Sequence, residues 1–209
     1  FDVVLRLLAA SVVHSVTLDQ WVSHNAFINA ASLAYLMERC QSLKVLTLEH
    51  LKLDEDHCRV LGAYSRPDLE IVLDRCKLAR AGTSASAEVL GRNQGPTMLK
   101  LCHIDYSVLA NGLRGNSRLK SFRLRSSHDY EVGNQELFAI ADALGENKGL
   151  VDLDLSYCWV SDETWSAICD SLKTHPSLEV LDLRVNFMNT TMAPAVITSR
   201  MQTLAVMLK

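Results

Sequence analysis

Seven stretches of the chain share one alternation of apolar and polar positions. The clearest is 150–160, where Leu150, Leu153, Leu155, Cys158 and Val160 stand in the spacing L-x-x-L-x-L-x-x-(N/C)-x-L. The L-x-L part has a period of two, which turns its leucines to one face of a strand and their neighbours to the other. The frame recurs as Val13, Val16, Leu18, Trp21; as Leu43, Leu46, Leu48, Leu51, Leu53; and as Ile71, Leu73, Cys76, Leu78. Further on it reads Leu99, Leu101, Ile104, Tyr106; then Leu119, Phe122, Leu124, Ser127; and last Leu178, Leu181, Leu183, Asn186, Met188. Measured on the second strand leucine, successive frames lie 30, 25, 28, 23, 31 and 28 residues apart. A strand and two bends then leave room for about two to four helical turns per unit.

The intervening segments carry helical spacing. Trp165, Ile168, Cys169 and Leu172 recur at i, i+3, i+4, i+7 behind a cap at Ser161 with Asp162 and Glu163 in the first turn. Leu33, Leu36, Met37 and Cys40 repeat the spacing, as do Leu137, Ile140, Ala141 and Leu144 behind an expected cap at Asn134. Pro67, Pro96 and Pro176 fall between a helix and the next strand, whereas Pro194 falls in the first turn of a last helix. Units of this kind cannot bury their apolar faces alone and must stack into one core. The chain therefore reads as a single domain over 1–209, with units near 11–40, 41–66, 67–94, 95–117, 118–147, 148–176 and 177–209. The closing face of Ile197, Met201, Leu204 and Leu208 offers no polar cap, so we expect the chain to continue, or this end to meet a partner end to end. Opening on Phe1 with no signal-peptide pattern, it reads as a piece of a longer protein.

Composition narrows the functions. A net charge of −3 and a pI near 6.2 lack the basic footprint of a nucleic-acid binder. No run approaches the ~18 apolar residues of a membrane span. The six cysteines show no C-x-x-C pair or compact scaffold spacing, so we expect reduced thiols in a cytoplasmic protein. Catalysis is not expected. Cys102, His103 and Asp74 echo a Cys-His-Asp set, but neighbours in an extended strand diverge to opposite faces. His50 and His103 lie two strands apart, about 9–10 Å, too far to share a metal at ~2 Å per ligand. No metal or cofactor is expected.

At 43–53, 150–160 and 178–188 the chain resembles the ribonuclease-inhibitor-like leucine-rich repeat family, and the resemblance spans nearly the whole sequence. It implies an α/β solenoid of about seven repeats, a horseshoe arc with a parallel β-sheet on the concave side and α-helices on the convex side. Family members typically serve as scaffolds for protein recognition. Cys76 and Cys158 also resemble the cysteine-containing repeats of F-box substrate receptors, although no F-box segment is present. The ligand-sensing repeats of nucleotide-binding immune receptors and the GTPase-activating leucine-rich repeat proteins are further alternatives.

In such a fold the residues between and after the strand leucines face outward, in columns across the sheet. One column reads Thr17, Thr47, Val72, Lys100, Arg123, Asp154, Asp182, and the next Asp19, Glu49, Asp74, Cys102, Arg125, Ser156, Arg184. Three zones result: acidic at Asp19, Glu49 and Asp74, basic at Lys100, Arg123 and Arg125, and aromatic at Tyr157, Trp159 and Phe187. The charges are equally compatible with a solvated ladder in which Arg123 pairs with Asp154, and Arg125 with Asp154 or Asp74, each pair contributing ~0.2–1 kcal/mol. Exposed aromatics beside arginine have the composition of interface hot spots. We therefore expect a protein partner on the concave face, held by Lys100, Arg123, Arg125, Asp154, Tyr157, Trp159, Asp182, Arg184 and Phe187.

Overall fold

Strand and helix alternate along the chain in a computed structural model that describes residues 12–19, 28–101, 104–124, 132–158, 160–184, 186, 198 and 202. The order is β1 (Ser15–Asp19), α1 (Ala30–Arg39), β2 (Val45–Glu49), β3 (Lys52–Leu53), α2 (Glu55–Ala63), β4 (Glu70–Leu78), α3 (Arg80–Gly91) and β5 (Met98–Leu101). It continues through α4 (Tyr106–Leu113), β6 (Ser121–Leu124), α5 (Asn134–Glu146), β7 (Asp152–Asp154), α6 (Asp162–Leu172) and β8 (Val180–Asp182). All pairings are parallel, in the order β1-β2-β4-β5-β6-β7-β8, and the short β3 pairs with the far end of β4. The fold is thus α/β with one helix on each crossover, the connection parallel strands require. Among the described residues no helix is long and apolar enough to cross a membrane.

The helices begin where the side chains can satisfy their first amides. Asn29, Asp54, Asp105 and Ser161 each accept a bond from a first-turn backbone N–H, at 2.8, 3.1, 3.1 and 3.3 Å. The expected cap at Asn134 differs: this residue opens α5, and its Oδ1 accepts from the Ser161 N–H of the following unit at 2.8 Å. The expected apolar helix faces are buried and form one core with the inward strand residues, from Leu46 and Leu48 to Leu153 and Leu155. Cys40, Cys58, Cys76, Cys158 and Cys169 are buried free thiols within or against it, and burial pushes Cys58 and Cys169 each up to about 11.

The position held by Cys or Asn in the frame has a physical task. Asn186 donates to Leu155 O of the preceding unit at 2.7 Å and accepts the Cys158 N–H at 2.9 Å, while Cys76 Sγ lies 3.2 Å from Leu48 O. Each closes the bend after one strand onto the carbonyl of the strand before it.

A second ladder escaped the sequence reading. Asn116 and Asn147, three residues before the first leucine of their frames, donate to Leu90 O and Leu113 O in the last turns of the preceding helices, at 2.7 and 2.6 Å. Cys40 and His175 stand at the same offset, before Leu43 and Leu178. His175 is unlike the two asparagines: both of its ring nitrogens are buried without a hydrogen-bond partner among the described residues, and desolvation lowers its pKa from the ordinary 6.5. The unfolded chain therefore binds this proton first, so the His175 contribution is complete above about pH 6.5 and is lost as pH falls. His175→Asn should raise stability by about 1 kcal/mol and flatten urea midpoints between pH 7 and 5. A loss of stability at pH 7 would mean that the Asn bond does not form there.

The sheet also corrects one register. Leu73 of β4 pairs with Leu99, and Asp74 with Lys100, after which Cys76 pairs with Leu101. The expected columns placed Val72 beside Lys100 and Asp74 beside Cys102, two residues away. A further shift of one residue follows between Asp74 and Cys76, where Arg75, with φ of 55°, is bulged out of β4.

Candidate interaction surface

Among the described residues, the helices pack on one side of the sheet and none covers the other. Alternation puts Thr17, Thr47, Val72, Met98, Ser121, Asp152 and Val180 in one outward row. The adjacent row is Asp19, Glu49, Asp74, Lys100, Arg123, Asp154 and Asp182. Beyond it the chain turns inward, and His50, Arg75 and Tyr157 occupy the same turning position with φ of 54°, 55° and 62°. A left-handed conformation costs a side-chain-bearing residue about 1–2 kcal/mol. The cost is offset by a bond to the next strand, from the His50 N–H to Asp74 O and from the Tyr157 N–H to Arg184 O, at 3.0 and 3.1 Å.

Most of the charges are paired within the face. Lys100 Nζ lies 3.0 Å from Asp74, and Arg75 lies 3.2 Å from Asp74 and 3.7 Å from Glu49. Arg123, expected to pair with Asp154, instead bonds Asp152 at 2.9 Å, because Ser121 Oγ fixes the same carboxylate from its own strand at 2.8 Å. Arg184 bonds Asp182 through Nε at 2.9 Å and holds its carboxyl below the usual carboxylate range. Asp154 accepts the Ser156 N–H at 2.9 Å and has no ion-pair partner among the described residues.

Of the expected partner-binding residues, Lys100, Arg123, Asp154 and Asp182 come together in one row, with Tyr157 and Arg184 at its exits. Arg125, Trp159 and Phe187 lie outside the described residues, as do Cys102, His103 and the closing helix. Tyr157 is 48% exposed and Val180 52%, two of the few large apolar side chains open to solvent. Val180 and Asp152 were not singled out from the sequence, since both precede the leucines that define the frame.

One cluster has donor atoms at metal-ligand spacing: Asp19, Glu49 and His50, all within 4.8 Å of one another. The His50 ring already lies 3.0 Å from Asp19, and Arg75 stands over Glu49. The two outward rows with their turning and exit residues carry six carboxylates, on residues 19, 49, 74, 152, 154 and 182, against four cations, on 75, 100, 123 and 184.

These features define an α/β protein with an open, acidic, parallel sheet. No family model and no curated protein matches the sequence. Among solved structures it is similar to the tropomodulin C-terminal domain from Caenorhabditis elegans, with 14% identity, a TM-score of 0.44, and coverage of 81% of this chain and 91% of that one.

Proposed function

We propose that the chain is a leucine-rich repeat solenoid of the ribonuclease-inhibitor-like kind, about seven units long, and that it acts as a non-catalytic scaffold. Its sheet forms the concave side of the arc, and a protein partner binds the C-terminal half of that face, from Arg123 to Arg184. The observation that carries this reading is Tyr157. Its ring stands in solvent at 48% exposure while its backbone is held in a strained turn by Arg184 O. An anchored, exposed aromatic beside charged groups has the character of an interface hot spot, and its rigidity reduces the ordering entropy of binding.

The test is Tyr157→Asn, since Asn tolerates the left-handed turn and removes only the ring. With a partner obtained by affinity capture on the native chain, Kd should rise at least tenfold, with the melting temperature shifted by less than about 3 °C. An unchanged Kd would sink the reading.

A further inference from the structure

The charge on the open face selects among protein partners, on the reading just proposed that such a partner binds there. Among the described residues, the two outward rows with their turning and exit residues hold two more carboxylates than cations. The described cations expected to greet a partner, Lys100, Arg123 and Arg184, are each bonded to a carboxylate of the same face. What is left to offer is anionic.

The offer is sharpest beside Tyr157. Asp154 and Asp182 are direct partners across β7 and β8, and like charges about 4.8 Å apart oppose each other. The group that relieves them is Arg184, whose side chain is 80% exposed and bonded to the aspartate two residues before it. Its proton is held more tightly by Asp182 first and then by Asp154, so a guanidinium at this corner already feels both carboxylates. The corner is a seat for a cation, filled from within by a tethered, solvent-facing side chain.

We infer that the partner engages this face through a basic segment, with an arginine or lysine side chain displacing Arg184 from the seat formed by Asp154, Asp182 and the Tyr157 ring. An incoming guanidinium gains charge-assisted bonds to two carboxylates and a ring face to stack on. Arg184 swings into solvent at small cost, being exposed already.

The probes are octa-arginine and octa-glutamate, titrated into the isotope-labelled full chain at 0.15 M salt and followed by amide shifts. Octa-arginine should move amides 152–157 and 182–184, and octa-glutamate should not. Asp154→Asn should weaken octa-arginine about fivefold, whereas Asp170→Asn on α6 should leave it unchanged. Arg184→Ala supplies the sign: vacating the seat should strengthen binding two- to fivefold, an outcome that general damage to the fold does not produce. Binding of octa-glutamate, shifts confined to the helices, or weakening by Arg184→Ala would each overturn the inference. A photo-crosslinker placed at Val180 and, as a control on the helical side, at Phe138 separates this inference from the reading beneath it. Capture at Val180 of a segment with net positive charge, sequenced by mass spectrometry, supports both. Capture there of a neutral or acidic segment overturns the basic-segment inference alone, and capture only at Phe138 overturns the proposed face and the inference with it.

Discussion

Asn147→Ala should lower the stability of the chain by about 3–5 kcal/mol, among the largest losses expected of any single substitution here. The side chain is buried and makes four bonds: Nδ2 donates to Leu113 O at 2.6 Å and Asn116 O at 2.8 Å, and Oδ1 accepts the N–H groups of Gly149 and Leu150, both at 3.0 Å. Alanine strands two donors and two acceptors where the end of α5 meets the approach to β7, and each buried unsatisfied group costs about 1–3 kcal/mol before relaxation. Urea unfolding followed by circular dichroism measures the loss. A cost below about 1 kcal/mol would show that the chain or water restores those bonds, and the account of the ladder would fail. Asn147→Asp is the companion: with its carboxyl protonated it keeps the two accepted bonds and one of the two donated ones, and should cost less than alanine.

Gly112→Ala is the second, because its sign runs against helix propensity. Alanine in place of glycine within a helix ordinarily gains up to about 1 kcal/mol. A Cβ at 112 in α4 would lie 2.4 Å from Ala87 O and 2.8 Å from Ala87 Cα of α3, and those are backbone atoms that cannot rotate away. The two helices must separate, which costs about 2–4 kcal/mol and exceeds the propensity gain. Gly91→Ala in the last turn of α3 meets nothing within 4 Å and should be neutral or stabilising by up to about 1 kcal/mol. Thermal melts of the two variants should therefore shift in opposite directions. A shared direction would mean that the α3–α4 distance is not set by this glycine.

Much of the fold was legible because burial follows local spacing. Leu153, Leu155, Cys158 and Val160 are buried as the frame around 150–160 requires, and Trp165, Ile168, Cys169 and Leu172 are buried as the helical spacing requires. Asn116 and Asn147 were legible in principle. Their offset of three residues from Leu119 and Leu150 recurs, but a lone Asn before a strand reads as a turn residue until the carbonyl it caps is seen. The candidate surface was half legible: Lys100, Arg123, Asp154 and Asp182 do share a row, while Asp152 and Val180 were passed over.

The sequence by itself determined which side of each strand and helix is apolar, because that depends on periods of two and 3.6 residues within one segment. It determined that the thiols at 76 and 158 belong inside and that Tyr157 belongs outside. Only the tertiary structure decided how one unit meets the next. The pairing of β4 with β5 lies two residues from the frame count and sets Lys100 against Asp74, and Ser121 drew Asp152, in place of Asp154, to Arg123. Ion pairing depends on distances of about 3–4 Å between residues some thirty positions apart, and a shift of register between two strands changes them while leaving every local period intact. The Asp74–Lys100 pair is a product of that register.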